Sequence, residues 1–124
     1  MSTGSGLPVV LIVEDEALIR AVAVSIVEHA GFEAMEAANA DDAVKILEAR
    51  KDIRLVFTDI QMPGSMDGLQ LASAIRDRWP PIGLIITSGN MTAPLMDLPD
   101  RSHYIPKPYT LSDVMRALNK LVAR

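Results

Sequence analysis

The chain has no cysteine among its 124 residues, and its net charge of −4 leaves no excess of basic side chains. The absence of cysteine excludes disulfides, thiolate-bound metals and thiol catalysis. The acidic balance gives no electrostatic footprint for DNA or RNA, because nucleic-acid binding depends on clustered lysine and arginine. No apolar stretch reaches the roughly 18 residues that a membrane-spanning helix needs. The sequence therefore predicts a protein that contacts neither nucleic acid nor membrane directly.

What remains is the composition of one globular domain. With 49% hydrophobic and 23% charged residues, the chain is apolar enough to fold and long enough to bury a single core. Residues 1–7 are rich in serine and glycine and lack the basic start and apolar middle of a signal peptide. We expect a flexible lead-in over 1–7, one domain over 8–124, and a cytoplasmic location.

Short apolar runs alternate with segments of helical period, a pattern that predicts βαβ units around a parallel sheet. The five predicted strands are Val9–Val13, Glu33–Glu36, Leu55–Thr58, Gly83–Thr87 and His103–Ile105. In the first helix Leu18, Val22 and Ile26 recur at helical spacing. The first predicted helix is about Glu16–Ala30, the second follows the cap Asn39, and the third is Gly68–Arg78. The fourth is short or irregular, because prolines interrupt the segment Gly89–Arg101, and the fifth begins at Thr110.

Polar side chains stand where four of the predicted strands end. Glu14 and Asp15 follow the first strand, Asp59 the third, Thr87 closes the fourth and Lys107 follows the fifth. Parallel strands end at one edge of a sheet, and open α/β sheets bind their ligands there. Carboxylates are ligands for Mg²⁺, and an aspartate can attack a phosphoryl group to form an acyl phosphate. The pattern predicts a site for a divalent cation and a phosphoryl group.

Four short motifs resemble the receiver domain of two-component response regulators. They are Val13–Glu16, Thr58–Pro63 with Met66–Gly68, Ile86–Gly89 and Tyr104–Tyr109. Each motif is weak alone, but their order at successive strand ends is specific, and the resemblance extends from about Pro8 to Val122. It implies a flavodoxin-like fold, a doubly wound five-stranded parallel sheet of order 2-1-3-4-5 with five helices, and a role in phosphorelay signal transduction.

The resemblance implies a role for each residue that would contact the phosphoryl group. Asp59 resembles the phosphoacceptor, and Lys107 resembles the cation that pairs with the phosphoryl group. Thr87 resembles the switch hydroxyl, and Tyr104 occupies the place of an aromatic ring that moves inward with it. The bond between Lys107 and Pro108 is expected to be cis. Self-phosphorylation and slow autodephosphorylation at Asp59 are expected, rather than conventional enzyme turnover.

Mg²⁺ is the cofactor that the resemblance implies. Asp15 resembles a direct ligand together with Asp59, Glu14 a partner that binds through water, and the backbone carbonyl of Gln61 a further ligand. One departure from the common family spacing is an additional residue at Gly64-Ser65. It predicts a longer loop beside the metal site.

The resemblance further implies that a sensor histidine kinase or a histidine phosphotransfer protein supplies the phosphoryl group, docking on helix 1 and the loop after Lys107. With no effector domain expected in the chain, an unknown downstream protein would bind the switched surface. Three alternatives remain open: a pseudo-receiver that acts without phosphorylation, a receiver excised from a longer hybrid kinase or response regulator, and a flavodoxin-type carrier. The carrier would need a phosphate-binding loop where Glu14-Asp15-Glu16 stands. Acids after strands can also simply favour helix N-termini.

Overall fold

The computed structural model describes residues 7–61, 66–89 and 101–122. Its strands are β1 (Val9–Val13), β2 (Glu33–Ala37), β3 (Ile53–Asp59), β4 (Gly83–Ser88) and β5 (Ser102–Pro106). Its helices are α1 (Ala17–His29), α2 (Ala40–Ala49), α3 (Gly68–Arg78) and α4 (Leu111–Val122). The strands form one parallel sheet of order β2-β1-β3-β4-β5, which confirms the predicted fold and strand order.

Four helices lie within the described ranges, and α4 corresponds to the fifth predicted helix. The fourth predicted helix falls largely on residues 90–100, which lie outside the described residues, as does the predicted loop extension at Gly64-Ser65. Strand β3 begins two residues earlier than predicted, because the buried Ile53 already pairs with Val9 of β1. None of the described helices combines the length and apolarity needed to cross a membrane.

Helices cover the sheet on both faces, and this explains why its central strands are continuously apolar. All five residues of β1 are buried, and alternate side chains enter opposite layers. Leu11 joins the layer under α2 and α3, which includes Leu47 and Leu71. Ile12 joins the layer under α1 and α4, which includes Leu118. The site is therefore built at the rim of a sheet that is fixed from both sides.

Two residues of the predicted apolar row of α1, Leu18 and Val22, do not pack on the sheet, whereas the third, Ile26, is half-buried against the core. Ala23 and Val27 are the buried residues of this helix, whereas Leu18 is 84% exposed and Val22 is 54% exposed. Helical spacing shows which residues share a face, but it does not show which face meets the core. The exposed pair lies beside the segment after β5 and lines a groove with Pro108 and Tyr109.

Candidate metal and phosphoryl site

The carboxyl ends of the central strands bring the predicted polar residues to one edge. Asp59 lies opposite Thr87 in the β3–β4 register. Backbone hydrogen bonds continue past the strand ends, since Ile60 N–H donates to the Thr87 carbonyl at 2.9 Å and Lys107 N–H donates to the Ser88 carbonyl at 3.0 Å. The loops that carry the functional side chains are thus tied to the sheet.

Three carboxylates form the centre of this edge. Glu14, Asp15 and Asp59 each place an oxygen within 4.8 Å of the others. Glu14 and Asp59 are only 4% and 5% exposed, while Asp15 faces solvent. Burial raises the pKa of Glu14 above 4.5, and repulsion from Asp59 adds to this, against the opposing effects of the Glu16 N–H and Lys107. Clustered, partly desolvated carboxylate oxygens are the donor set that fits a hard divalent cation such as Mg²⁺.

Lys107 supplies the positive charge of the site. Its Nζ lies 2.7 Å from Asp59 Oδ2 and 3.4 Å from Glu14 Oε1. Burial lowers the pKa of Lys107, but the hydrogen bond and the attraction of Asp59 outweigh it, so the pKa lies above 10.5. The lysine is therefore a cation at neutral pH. The peptide bond between Lys107 and Pro108 is cis, as predicted.

Thr87 brings a hydroxyl to the same edge. The residue is 2% exposed, and its Oγ1 has no hydrogen-bond partner within the part of the chain that the structure describes. An unpaired buried hydroxyl is unfavourable, and one in a native structure calls for an explanation such as a ligand. A phosphoryl oxygen on the neighbouring Asp59 would provide the missing acceptor.

The backbone after Asp59 is held by the start of α3. Gln61 N–H donates to Asp59 Oδ1 at 3.1 Å, and Gly68 N–H donates to the Ile60 carbonyl at 2.8 Å. A Cβ atom on Gly68 would lie 1.9 Å from the Asp59 carbonyl oxygen, so only glycine permits this approach. No role is predicted for Gly68 from the sequence. The signal that could have indicated one is its place directly after Asp67, which caps α3.

Arg20 is a second residue that sequence analysis missed. Its Nη1 donates to the backbone carbonyl of Glu14 at 2.7 Å, and its Nε donates to Glu36 Oε1 at 3.1 Å. The side chain therefore ties the segment after β1 to the end of β2. No sequence pattern marks this contact, because Glu36 lies on a different element and meets Arg20 only in the folded chain.

Two predicted residues lie at the margin of the site. Gln61 is exposed, and it contacts Asp59 through its N–H, so its predicted role as a carbonyl ligand stays a prediction. Tyr104 is half-buried against the core, and its hydroxyl donates to the Ser88 carbonyl at 3.3 Å, one residue beyond Thr87. Its role in switching also stays a prediction. The structure gathers Glu14, Asp15, Asp59 and Lys107 directly, with Thr87 on the adjoining strand.

Comparisons with known proteins agree with this geometry. The family model of the response regulator receiver domain matches residues 10–119. The transcriptional regulatory protein PdtaR of Mycobacterium tuberculosis is 35% identical over 123 residues, covering 93% of this chain and 57% of that protein. The hybrid signal transduction histidine kinase K of Dictyostelium discoideum is 32% identical over 125 residues, covering 91% of this chain and 10% of that protein. The chain therefore spans less than two thirds of either relative.

Among solved structures, the response regulator protein TrrA of Thermotoga maritima is similar over almost the whole chain. That crystal structure is a complex with Mg²⁺ and BeF. It is 27% identical, with a TM-score of 0.82, and the match covers 93% of this chain and 99% of that one.

Proposed function

Because the chain belongs to the family of response regulator receiver domains, we propose that Asp59 accepts a phosphoryl group from a phosphohistidine of a sensor kinase or phosphotransfer protein. The observation that carries this proposal is the placement of one buried carboxylate between an acidic cluster and a lysine. Asp59 shares the cluster with Glu14 and Asp15, and it contacts Lys107 at 2.7 Å.

Each oxygen of Asp59 has a distinct neighbour. Oδ1 accepts the Gln61 N–H, and Oδ2 accepts from Lys107. In the proposed transfer a carboxylate oxygen attacks phosphorus, and the bond between phosphorus and the histidine nitrogen breaks, with its electron pair left on nitrogen. Lys107 then pairs with a phosphoryl oxygen, and the Thr87 hydroxyl donates to another. Positioning and charge neutralisation of this kind supply most of the catalysis in phosphoryl transfer.

The acidic cluster is the proposed Mg²⁺ site. Asp15 and Asp59 would hold the ion directly with the carbonyl of Gln61, and Glu14 would hold it through water. The support is the donor set itself, three carboxylates with oxygens within 4.8 Å. When bound, the ion offsets the charge of the carboxylates and of the incoming phosphoryl oxygens. A bound ion would add to the compensation that the Glu16 N–H and Lys107 already give the buried Glu14 carboxylate.

The kinase is proposed to dock on the exposed apolar part of α1 and the segment after β5. A groove of about 500 Å³ there is lined by Leu18, Val22, Pro108, Tyr109 and their neighbours, including Lys107 of the site. The Tyr109 ring packs on Phe57 with centroids 5.4 Å apart, which gives the groove a firm floor. A phosphohistidine presented from this groove would be adjacent to Lys107 and hence to Asp59.

Phosphorylation is proposed to shift an existing equilibrium between two surface states, one of which binds the downstream protein better. The Thr87 hydroxyl supports this, because it has no partner among the described residues and a phosphoryl group on Asp59 would give it an acceptor. Tyr104, held to the Ser88 carbonyl beside Thr87, would transmit the change. The downstream partner and the cytoplasmic location stay predictions.

Intact mass after incubation with acetyl phosphate and Mg²⁺ tests the proposal. The native chain is expected to gain one phosphoryl group, and Asp59→Asn none. Asp77→Asn is the matched control, because Asp77 is an exposed aspartate of α3 away from the cluster, and it should gain the group like the native chain. Uptake by Asp59→Asn would contradict the proposal. No uptake by any chain, with acetyl phosphate or with a phosphorylated kinase, would support a pseudo-receiver instead.

A further inference from the structure

A basic cleft lies at the opposite edge of the sheet, where the chain enters β3 and β4. It has a volume of about 320 Å³ and is lined by Arg50, Lys51, Arg54 and Arg78 around the apolar side chains of Ile53 and Trp79. Four of the 12 lysines and arginines of a net acidic chain therefore meet in one place. Nothing in the proposed phosphoacceptor chemistry uses this cleft.

Two of the four cations already have partners. Arg50 Nε donates to Asp52 Oδ1 at 2.9 Å, and Arg78 Nη2 donates to Glu48 Oε2 at 2.8 Å. Within the described residues, neither Lys51 nor Arg54 makes an ion pair. Lys51 and Arg54 are therefore the two cations of the cleft that no ion pair engages among the described residues. Two charges match a phosphate monoester, which is largely a dianion at neutral pH, and arginine is well suited to its oxygens.

A strand irregularity sets Arg54 apart from its neighbours. Val9 pairs with Ile53 and Val10 pairs with Leu55, so Arg54 is an extra residue in the β1–β3 register. It is exposed, whereas Ile53 and Leu55 on either side are buried. Bulges of this kind re-aim a side chain, and they are features of function more often than defects. Here the bulge places a guanidinium in a cleft that has an apolar wall.

We propose that this cleft binds a small organic phosphate monoester with a planar or apolar body, of the class of the nucleoside monophosphates. The volume is at the lower end of the range for small-molecule sites. Strand β3 is paired on both sides, by β1 and β4, so no free strand edge is available for an extended peptide. The Arg78 guanidinium lies over the Trp79 ring, 4.3 Å from its centroid, so a planar ligand body would stack on this guanidinium and contact the ring edge, while Lys51 and Arg54 suit the phosphate.

Trp79 is the only tryptophan of the chain, so its fluorescence reports this cleft alone. Titration with adenosine monophosphate, without Mg²⁺, is expected to give a saturable change with a Kd below about 1 mM, a weak but specific affinity. Backbone amide shifts followed by NMR should change around Lys51, Arg54 and Trp79. The absence of a saturable change in both readouts would overturn the proposal.

Charge-removing variants locate the binding. The double variant Lys51→Gln with Arg54→Gln is expected to weaken binding at least tenfold, and both residues are exposed, so the fold should be retained. Lys45→Gln, an exposed lysine of α2 outside the cleft, should bind like the native chain. Asp59→Asn should also bind normally, which separates this cleft from the acidic site. Equal loss in Lys45→Gln would overturn the proposal as non-specific attraction.

Competing probes define the ligand class. Inorganic phosphate should bind more weakly than adenosine monophosphate by at least tenfold, because it lacks the body that fills the apolar wall, and adenosine should not bind measurably. If inorganic phosphate bound as tightly as adenosine monophosphate, the proposal of an organic ligand would be overturned. An oligoglutamate peptide that binds the cleft at a lower concentration than adenosine monophosphate, and displaces it, would overturn the proposal. The cleft would then be a site for an acidic segment of a partner protein.

Discussion

The two edges of the sheet differ in whether their charged groups are buried or exposed. At the carboxyl edge, Glu14 and Asp59 are buried together, and Thr87 has no hydrogen-bond partner among the described residues. At the amino edge, the charged groups are exposed, and Arg50 pairs with the nearby Asp52. Buried like charges destabilise a fold, whereas exposed ion pairs contribute only about 0–1 kcal/mol. The buried charge at the carboxyl edge is thus a cost to stability that the proposed metal ion and phosphoryl group would offset.

The helices that follow β1, β2 and β3 differ in how their N-termini are capped. Asn39 caps α2 by accepting from Asp42 N–H at 2.8 Å, and α3 begins with a reciprocal pair between Asp67 and Gln70. Helix α1 starts directly after the acid pair, and its N-cap residue Glu16 makes no side-chain cap. The cap of α3 also lies beside the site, because Gly68 N–H donates to the Ile60 carbonyl, so among these three helices the missing side-chain cap is specific to α1.

The largest expected effect comes from adding a side chain where the backbone of Gly68 approaches the Asp59 carbonyl. Gly68→Ala places a Cβ 1.9 Å from the Asp59 carbonyl, so we expect a loss of about 3 kcal/mol in the free energy of unfolding, despite the helix preference for alanine. Denaturant unfolding measures this. Gly89→Ala is the control, because a Cβ there meets nothing within 4 Å and should change stability little. Equal effects of the two substitutions would show that the close approach of Gly68 to the Asp59 carbonyl does not restrict this position to glycine.

Neutralising Glu14 tests whether buried charge at the carboxyl edge costs stability. The pKa of Glu14 is raised in the fold by burial, so its ionised form destabilises the metal-free protein. This penalty is absent below pH 4.5 and complete once the pH has risen through the folded-state pKa. At neutral pH with chelator, Glu14→Gln should therefore raise the free energy of unfolding, while Mg²⁺ affinity falls about tenfold.

The matched control is Glu28→Gln, an exposed position of α1, which should change neither the stability nor the Mg²⁺ affinity. Denaturant melts in chelator and calorimetric Mg²⁺ titration give the two quantities. If Glu14→Gln destabilised the metal-free chain, the Glu14 carboxylate would be a structural partner of Lys107. It would not be a metal ligand whose ionised form destabilises the metal-free fold.

Much of this arrangement could be predicted from the sequence, for identifiable reasons. The strands alternate with helical segments, and the acids, Thr87 and Lys107 follow strand ends, so a parallel sheet alone places them together. Contacts that depend on how helices dock could not be predicted. The approach of Gly68 to Asp59 and the exposure of Leu18 are of this kind. The bulge at Arg54 depends on pairing between β1 and β3, which the local sequence of β3 does not show.

A smaller effect is expected from removing the Arg20 side chain, which ties the segment after β1 to β2. Arg20→Ala removes a hydrogen bond to the Glu14 carbonyl and should lower the free energy of unfolding by about 1 kcal/mol, with weaker Mg²⁺ binding. Glu48→Ala removes the exposed pair with Arg78 and should have less effect on stability and none on Mg²⁺ binding. Identical Mg²⁺ affinities in the two variants would argue against a positioning role for Arg20.

The smallest effect concerns pH and β5, the edge strand of the sheet. Burial lowers the pKa of His103 below 6.5, and the nearby Lys120 and Arg116 lower it further. The fold thus favours neutral imidazole, so the contribution to stability is present above pH 6.5 and is lost as the pH falls through the folded-state pKa. His103→Gln should reduce the slope of unfolding free energy against pH below 6.5. Matching slopes in native and His103→Gln chains would count against this assignment.

That Asp59 is the acceptor is tested most directly by trapping the acyl phosphate. Borohydride reduces a phosphorylated aspartate to homoserine, and peptide mass mapping then locates the modified residue. After treatment with acetyl phosphate and Mg²⁺, we predict homoserine at position 59 alone, and none when Mg²⁺ is chelated. Homoserine at Asp15 or at an exposed aspartate, with Asp59 intact, would contradict the assignment of the buried carboxylate beside Lys107 as the phosphoacceptor.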